Sequence, residues 1–254
     1  MPPAIVAEHV SKRFELHHNR TGSLKERFLG VFHDKHRTQT RDFWALKDVS
    51  LTIHPGDAVA LVGRNGSGKS TLLKLIAGVY RPTSGRVLVR RNARIGSLIQ
   101  LGVGFNPELT GRENVYMNAS IYGLSREEVD AIYDDVVAYA EIGPFLEEPI
   151  KNYSSGMVVR LAFAVAAHLD PDILLLDEIF AVGDTDFQQK CQVTMQQFLA
   201  RGKTLVFVSH AAPAVRAMCR RVCVLSHGQL IYDGGVDEGL ATYEHIVQSE
   251  HQTA

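Results

Sequence analysis

Apolar positions along the chain fall into short unbroken runs separated by stretches of helical period. Residues 58–62 (AVALV), 173–177 (ILLLD) and 204–209 (TLVFVS) are apolar without alternation, the pattern of strands buried on both faces. Residues 4–10 (AIVAEHV) and 48–54 (DVSLTIH) alternate enough to be strands of a partly exposed sheet. A glycine-rich loop follows residue 62, and then TLLKLIAGV, in which Leu72, Leu73, Leu75 and Ile76 form the apolar face of a helix. RPTSG at 81–85 reads as a turn and RVLVR as a further strand. From about 105 to 170 the period is helical. There SREEVDAIYDDVVAYAEI opens on Ser125 with Glu128 three residues later, a capping box. FQQKCQVTMQQFLARG is expected as a helix, CVLSHGQLIYDG as a strand and the region around DEGLATYEHIVQS as a last amphipathic helix. Such alternation predicts an α/β fold with a mostly parallel sheet covered by helices. There is no internal repeat and no low-complexity segment.

Composition narrows the class. At 254 residues the chain can build one sizeable core or at most two small ones. With 45% hydrophobic residues, 22% charged and a formal net charge of −1, it lacks the basic excess of a nucleic-acid coat, so no nucleic-acid partner is expected. No apolar run reaches the roughly 18 residues of a membrane span. The N-terminal run MPPAIVAEHVSKRF has no charged segment followed by an apolar one, so no secretory signal is expected and the chain is expected to stay in the cytoplasm. Cys191, Cys219 and Cys223 are odd in number and sit in apolar surroundings, which suits reduced thiols rather than disulfides. Cys219 and Cys223 flank Arg220 and Arg221 with no other ligand type nearby, so packing explains them better than a metal.

The strongest chemical signal is the run Gly63-Arg64-Asn65-Gly66-Ser67-Gly68-Lys69-Ser70, which fits G-x-x-x-x-G-K-[ST] between an expected strand and an expected helix continued by Thr71. Glycines let the backbone form a nest of N–H donors, and the helix N-terminus adds partial positive charge. Lys69 can reach the β- and γ-phosphates of a nucleoside triphosphate, and Ser70 can ligate Mg²⁺. The run Ile173-Leu174-Leu175-Leu176 ends in Asp177-Glu178. A carboxylate at a strand tip beside such a loop can hold the Mg²⁺ shell, the role expected of Asp177, and Glu178 is then placed to polarise the attacking water, although Asp-Glu after a strand is, taken alone, also what a solvated turn looks like.

These motifs, with those that follow them in order, resemble the ABC ATPases over nearly the whole chain; the N-K-x-D tetrad of GTPases is absent. Tyr153-Ser154-Ser155-Gly156-Met157 matches the family signature L-S-G-G-Q in its second and fourth places, although taken alone it is also what a plain helix N-cap looks like. The resemblance implies that Ser155 and Gly156 serve the ATP of an opposite subunit in a head-to-tail homodimer. It places Ala181-Val182-Gly183-Asp184 at the D-loop and His210 at the switch histidine that contacts the γ-phosphate. It also makes Gln100 the candidate Q-loop residue, touching Mg²⁺ or water at the interface with a membrane subunit. For the aromatic that stacks on adenine, Phe14 occupies the family position and Trp44 is the rival. The implied architecture is a P-loop cassette with a RecA-like parallel core, an antiparallel β subdomain and an α-helical subdomain at about 105–170.

Within that family, GFNPELTGRENVYMN, KNYSSGMVVRLAFAVA, DEIFAVGDTDFQQKC and FVSH are similar to the exporters of O-antigen, capsule and teichoic acid. The segment at about 17–43 stands where those cassettes carry an N-terminal insertion. It holds six Lys/Arg against three acids, plus four histidines, and Leu24, Phe28, Leu29 and Phe32 lie at helical spacing. It reads either as a helix near anionic lipid or on a partner's cytoplasmic face, or as a solvated loop. Only about thirty residues follow Ser226, too few for the sugar-binding domain that some relatives carry there. The resemblance therefore implies a peripheral ATPase at the cytoplasmic face of the inner membrane, paired with a polytopic permease that does most of the recognition of a lipid-linked glycan. A transporter of another substrate and a soluble regulatory ATPase stand as alternatives.

Overall fold

The computed structural model describes residues 2–17, 40–98, 104–177 and 185–252. Its centre is a six-stranded sheet of β3 (Ala58–Val62), β5 (Ile95–Leu98), β6 (Ile173–Leu176), β7 (Thr204–Val208), β8 (Arg221–Ser226) and β9 (Gln229–Gly235), in the order β5-β6-β7-β3-β8-β9. Every neighbouring pair is parallel except β8 and β9. The unalternating runs are buried on both sides, and successive residues serve two different cores. Val59, Leu61, Leu175, Val206 and Val208 face α1 (Lys69–Ile76) and a second sheet. Ala60, Val62, Leu174, Leu176 and Phe207 face α5 (Thr185–Ala200) and neighbouring helices. Each such Val, Leu or Phe removed from water contributes about 1.5–3 kcal/mol before entropy is charged against it.

The second sheet is antiparallel, in the order β2-β1-β4, built from β1 (Ile5–His17), β2 (Thr40–Ile53) and β4 (Ser84–Val89). Both N-terminal strands run longer than their alternation predicts. The edges of the segment expected as an insertion at about 17–43 are strand, and its interior, with Leu24, Phe28, Leu29 and Phe32, lies outside the described residues. Periodicity missed these ends because the side chains of residues 11–15 and 41–44 are exposed or half-buried: Arg13 lies opposite Trp44, Phe14 opposite Phe43, and Arg13 Nη1 donates to Asp42 Oδ2 at 2.9 Å.

The stretch CVLSHGQLIYDG corrects another expectation, since it is not one strand but the hairpin of β8 and β9. His227 and Gly228, with φ of 48° and 81°, make the two-residue turn. Glycine at the second place adopts that conformation freely, while histidine accepts some strain. The short strand β5 and helix α6 (Ala212–Met218) carried no readable period. In α6 only Val215 and Met218 are buried, too few positions to define a face.

Helices α2 (Gly111–Ile121), α3 (Arg126–Ala140) and α4 (Ser155–His168) enclose a core of their own that includes Val115, Ala119, Val129, Val136, Leu161 and Val165. The opposite face of α4, through Ala162, Phe163 and Ala166, packs on the parallel sheet, so this one helix joins the helical unit to the sheet. The Ser125–Glu128 capping box forms, with Ser125 N donating to Glu128 Oε2 at 2.8 Å. A second one, Thr110–Glu113, opens α2. Beside it, fully buried Asn114 holds the preceding loop: Asn106 N donates to its Oδ1 at 2.7 Å, and its Nδ2 faces the carbonyl oxygens of Asn106, Leu109 and Thr110 at 2.8–3.1 Å. The motif NPELTGREN is thus first a backbone lock. All three thiols are buried and unpaired with one another, and burial pushes Cys219 up to about 12. Asn114→Ala strands several of these buried backbone groups and is expected to cost about 1–3 kcal/mol in urea unfolding; a loss below a few tenths would mean the loop is held by other contacts.

Candidate functional site

Strand β3 lies between β7 and β8, parallel to both, so the chain leaves its C-terminal end at the middle of the carboxyl edge of the sheet. That edge is where ligands bind in open α/β sheets, because loops and helix N-termini converge there. Residues 63–68 form the loop and Lys69 opens α1. Gly68, the N-cap of α1, has φ of 108°, and a Cβ on it would stand 2.6 Å from both Ala45 O and Leu46 Cδ2. Only glycine lets the loop lie this close to β2. Lys69 folds back over the loop: Nζ donates to Gly63 O at 2.6 Å and to Arg64 O at 3.1 Å, and the residue is 6% exposed. Burying an ammonium is costly, and here two carbonyls offset that cost. Arg64, Asn65 and Gly66 form the exposed crest, while Ser67 is buried with its Oγ lacking a hydrogen-bond partner.

Ser70 and Thr71 continue the first turn of α1, both half-buried. Ser70 Oγ donates to Asp177 Oδ2 at 3.2 Å, which brings the loop helix and the end of β6 together. A hydroxyl beside a carboxylate is a hard-oxygen donor set of the kind Mg²⁺ takes. His210 follows β7 by two residues on the same edge and is exposed; Ser209 N donates to Leu61 O at 3.4 Å, tying that exit to β3. The site is therefore assembled from three adjacent strand ends, β3, β6 and β7. Glu178, the D-loop run 181–184 and Gln100 lie outside the described residues.

Two expected groups stand apart from this cluster. Ser155 and Gly156 open α4 in the helical unit, where Ser154 Oγ accepts from Met157 N at 3.2 Å as the N-cap. Among the described residues no hydrogen bond joins Ser155 or Gly156 to residues 63–71. Phe14 and Trp44 project from opposite faces of the β1–β2 ribbon. Phe14 packs against Tyr80, with ring centroids 5.4 Å apart at 71°, whereas Trp44 lies 41% exposed beneath the Arg13 guanidinium. Sequence reasoning missed one support of the loop. Gly228 in the β8–β9 turn donates its N–H to Ser67 O at 3.1 Å and accepts from Lys47 N at 2.7 Å. The signal was the dipeptide His227-Gly228, but only the fold places it beneath the loop.

A sequence profile of the ABC transporter family matches residues 46–181, spanning the loop and the β6 end. The chain belongs to the ABC transporter family. Its cassette is 43% identical over 247 residues to the O-antigen export system ATP-binding protein RfbB of Klebsiella pneumoniae, covering 96% of this chain and 98% of that one. It is 40% identical over 241 residues to the teichoic acids export ATP-binding protein TagH of Listeria monocytogenes serotype 4b, covering 95% of this chain and 70% of that relative. Among solved structures it is similar to the ATP-binding cassette MJ0796 in a dimeric post-hydrolysis state bound to ADP and Pi. The TM-score is 0.73 at 25% identity, over 91% of this chain and 98% of that one. ATP hydrolysis is the activity that goes with this membership. Among the described residues of the cassette, no helix is long and apolar enough to cross a membrane.

Two glycines of the loop separate strain from overlap. A Cβ on Gly66 meets nothing within 4 Å, so Gly66→Ala carries only the left-handed backbone cost of about 1–2 kcal/mol. Gly68→Ala adds contact with Ala45 O and Leu46 and is expected to destabilise the cassette by clearly more in the same urea titration. Equal losses would mean that β2 yields at no cost.

Proposed function

We propose that this cassette is the ATP-binding and ATP-hydrolysing subunit of an exporter that moves a lipid-linked cell-surface polysaccharide across the cytoplasmic membrane. The observation that carries the reading is a phosphate-binding loop with its lysine enclosed and its serine bonded to the β6 aspartate. It stands in a chain related over nearly its whole length to ATP-binding proteins of O-antigen and teichoic acid export.

In this reading the chain is one nucleotide-binding domain, with its helical subdomain at about 105–170 and an insertion at about 17–43. The triphosphate lies on the N–H groups of residues 63–68 and the N-terminus of α1, and Lys69 exchanges its carbonyl partners for β- and γ-phosphate oxygens. Thr71 extends the phosphate cradle, and the base stacks on Phe14, whose ring packs against Tyr80 in the connection that follows α1. Ser70 and Asp177, joined at 3.2 Å, would hold Mg²⁺ with Gln100; the ion would neutralise charge between the phosphates. Glu178 takes a proton from the attacking water and His210 contacts the γ-phosphate. Positioning and charge stabilisation supply most of the rate.

Ser155 and Gly156 belong to the same site only in a homodimer. There the N-terminus of one subunit's α4 faces the γ-phosphate held by the other, and two ATP molecules are enclosed between the subunits. ATP binding joins the pair and hydrolysis releases it, a two-state motion that can rock a polytopic permease. The cassette sits peripherally on the cytoplasmic face of the membrane, and the glycan is recognised mainly through the permease.

Lys69→Ala removes charge-assisted contacts of about 1.5–3 kcal/mol, so ATP affinity is expected to fall roughly 10- to 100-fold in equilibrium dialysis. Near-normal affinity would overturn the loop assignment. Glu178→Gln is expected to bind ATP but to stall as a dimer. When this form is tagged in its native cell and the membranes are gently solubilised, it should copurify with a polytopic membrane protein and lipid-linked glycan. Recovery of a soluble homodimer without any stoichiometric membrane protein would remove the exporter reading in favour of a cytosolic regulatory ATPase. Undiminished turnover would remove Glu178 as base.

A further inference from the structure

The ring proposed to carry the base is anchored from outside its own sheet. Strand β4 pairs with β1 only as far as Ser11 opposite Ser84. Beyond that point β2 is the sole strand neighbour of β1 among the described residues, so Phe14 sits on a two-stranded ribbon whose register already shifts near Lys12. A two-stranded ribbon twists easily and is marginal by itself. Four contacts from the connection between α1 and β4 fasten it. Thr83 N donates to Ser11 O at 2.8 Å, and Arg13 N donates to Thr83 Oγ1 at 3.0 Å. Lys12 Nζ donates to Arg81 O at 2.9 Å, and the Tyr80 ring meets Phe14 nearly edge-on at 5.4 Å. Cations close the cluster: Lys12 Nζ lies 5.1 Å from the Phe14 centroid and 5.6 Å from that of Tyr80, and Lys74 Nζ of α1 lies 5.7 Å from Tyr80.

We infer that Tyr80–Thr83 braces the base platform and that Tyr80 is a positioning residue for nucleotide binding, acting through Phe14. The inference rests on the proposed stacking of the base on that ring. The brace starts four residues after the end of α1, whose first residues hold the phosphates. Base platform and phosphate loop are thereby fixed to the two ends of one short helix, and their separation is set before nucleotide arrives. A pre-set ring loses less freedom on stacking than a loose one, and the difference is read as affinity for the base-bearing ligand alone. Inorganic tripolyphosphate, which has phosphates and no base, has nothing to gain from the brace.

The test compares binding of ATP and of inorganic tripolyphosphate by calorimetry on the full chain. Tyr80→Ala is expected to weaken ATP about five- to tenfold and to leave tripolyphosphate within twofold. Tyr80→Phe, which keeps the ring, is expected to restore ATP binding. Thr83→Val keeps the shape, removes the acceptor for Arg13 N–H, and is expected to act in the same direction as Tyr80→Ala. Parallel losses for both ligands would overturn the inference, because the connection would then be supporting the phosphate loop. Unchanged ATP affinity in both Tyr80→Ala and Thr83→Val would overturn it too. If Phe14→Ala leaves the ratio of the two affinities at its original value, the base does not stack there, and the platform reading falls together with its brace.

Discussion

Burial of β3 on both faces is the constraint from which the site follows. With Val59 and Leu61 committed to one core and Ala60 and Val62 to the other, the strand has no face that can turn to water. A slip by one residue would exchange the two sets, and a strand so fixed delivers its following residue to one place. That place is Gly63. The loop is then shaped by two close approaches, Gly68 against β2 and Ser67 O against the β8–β9 turn, and by the lysine that folds back over it. An enclosed ammonium held by carbonyl oxygens is a strong donor awaiting better acceptors. Phosphate oxygens are such acceptors, so in the proposed function the same interaction that stabilises the loop also prepares it for its ligand.

Around this fixed point the other groups arrive by different routes. Asp177 and His210 come on β6 and β7, strands as deeply buried as β3, and their placement inherits the same rigidity. Ser155 and Gly156 come on α4, which belongs to two cores at once. Its Leu161 and Val165 lie in one core and its Phe163 in the other, so the helix packs against both. Phe14 arrives on a polar ribbon with little core of its own, which is why contacts from the connection after α1 matter there.

The motifs were legible because each reflects local chemistry. A glycine-rich loop between a strand and a helix, a strand ending in Asp177, and Ser154 at a helix start are demands that neighbouring residues meet. The two-core burial of AVALV, ILLLD and TLVFV was legible for a similar reason, since absence of alternation means absence of a wet face. Less legible were elements whose identity depends on a distant partner. IGSL forms a strand through its pairing with β6, and residues 12–17 and 40–46 form a ribbon by pairing with each other. HGQL turns a supposed single strand into a hairpin.

By itself the sequence determined the α/β class and located the glycine-rich loop with Lys69 and Ser70 and the strand that ends at Asp177, because spacing of a few residues carries that information. Tertiary structure decided which of two aromatics packs on Tyr80, which turn supports the loop, and that Tyr80 and Thr83 grip the base of the ribbon. Those contacts join residues about 70 to 160 positions apart in the chain. No local period records them, since they exist only after the sheets have packed and the ends of separate strands have been brought to one edge.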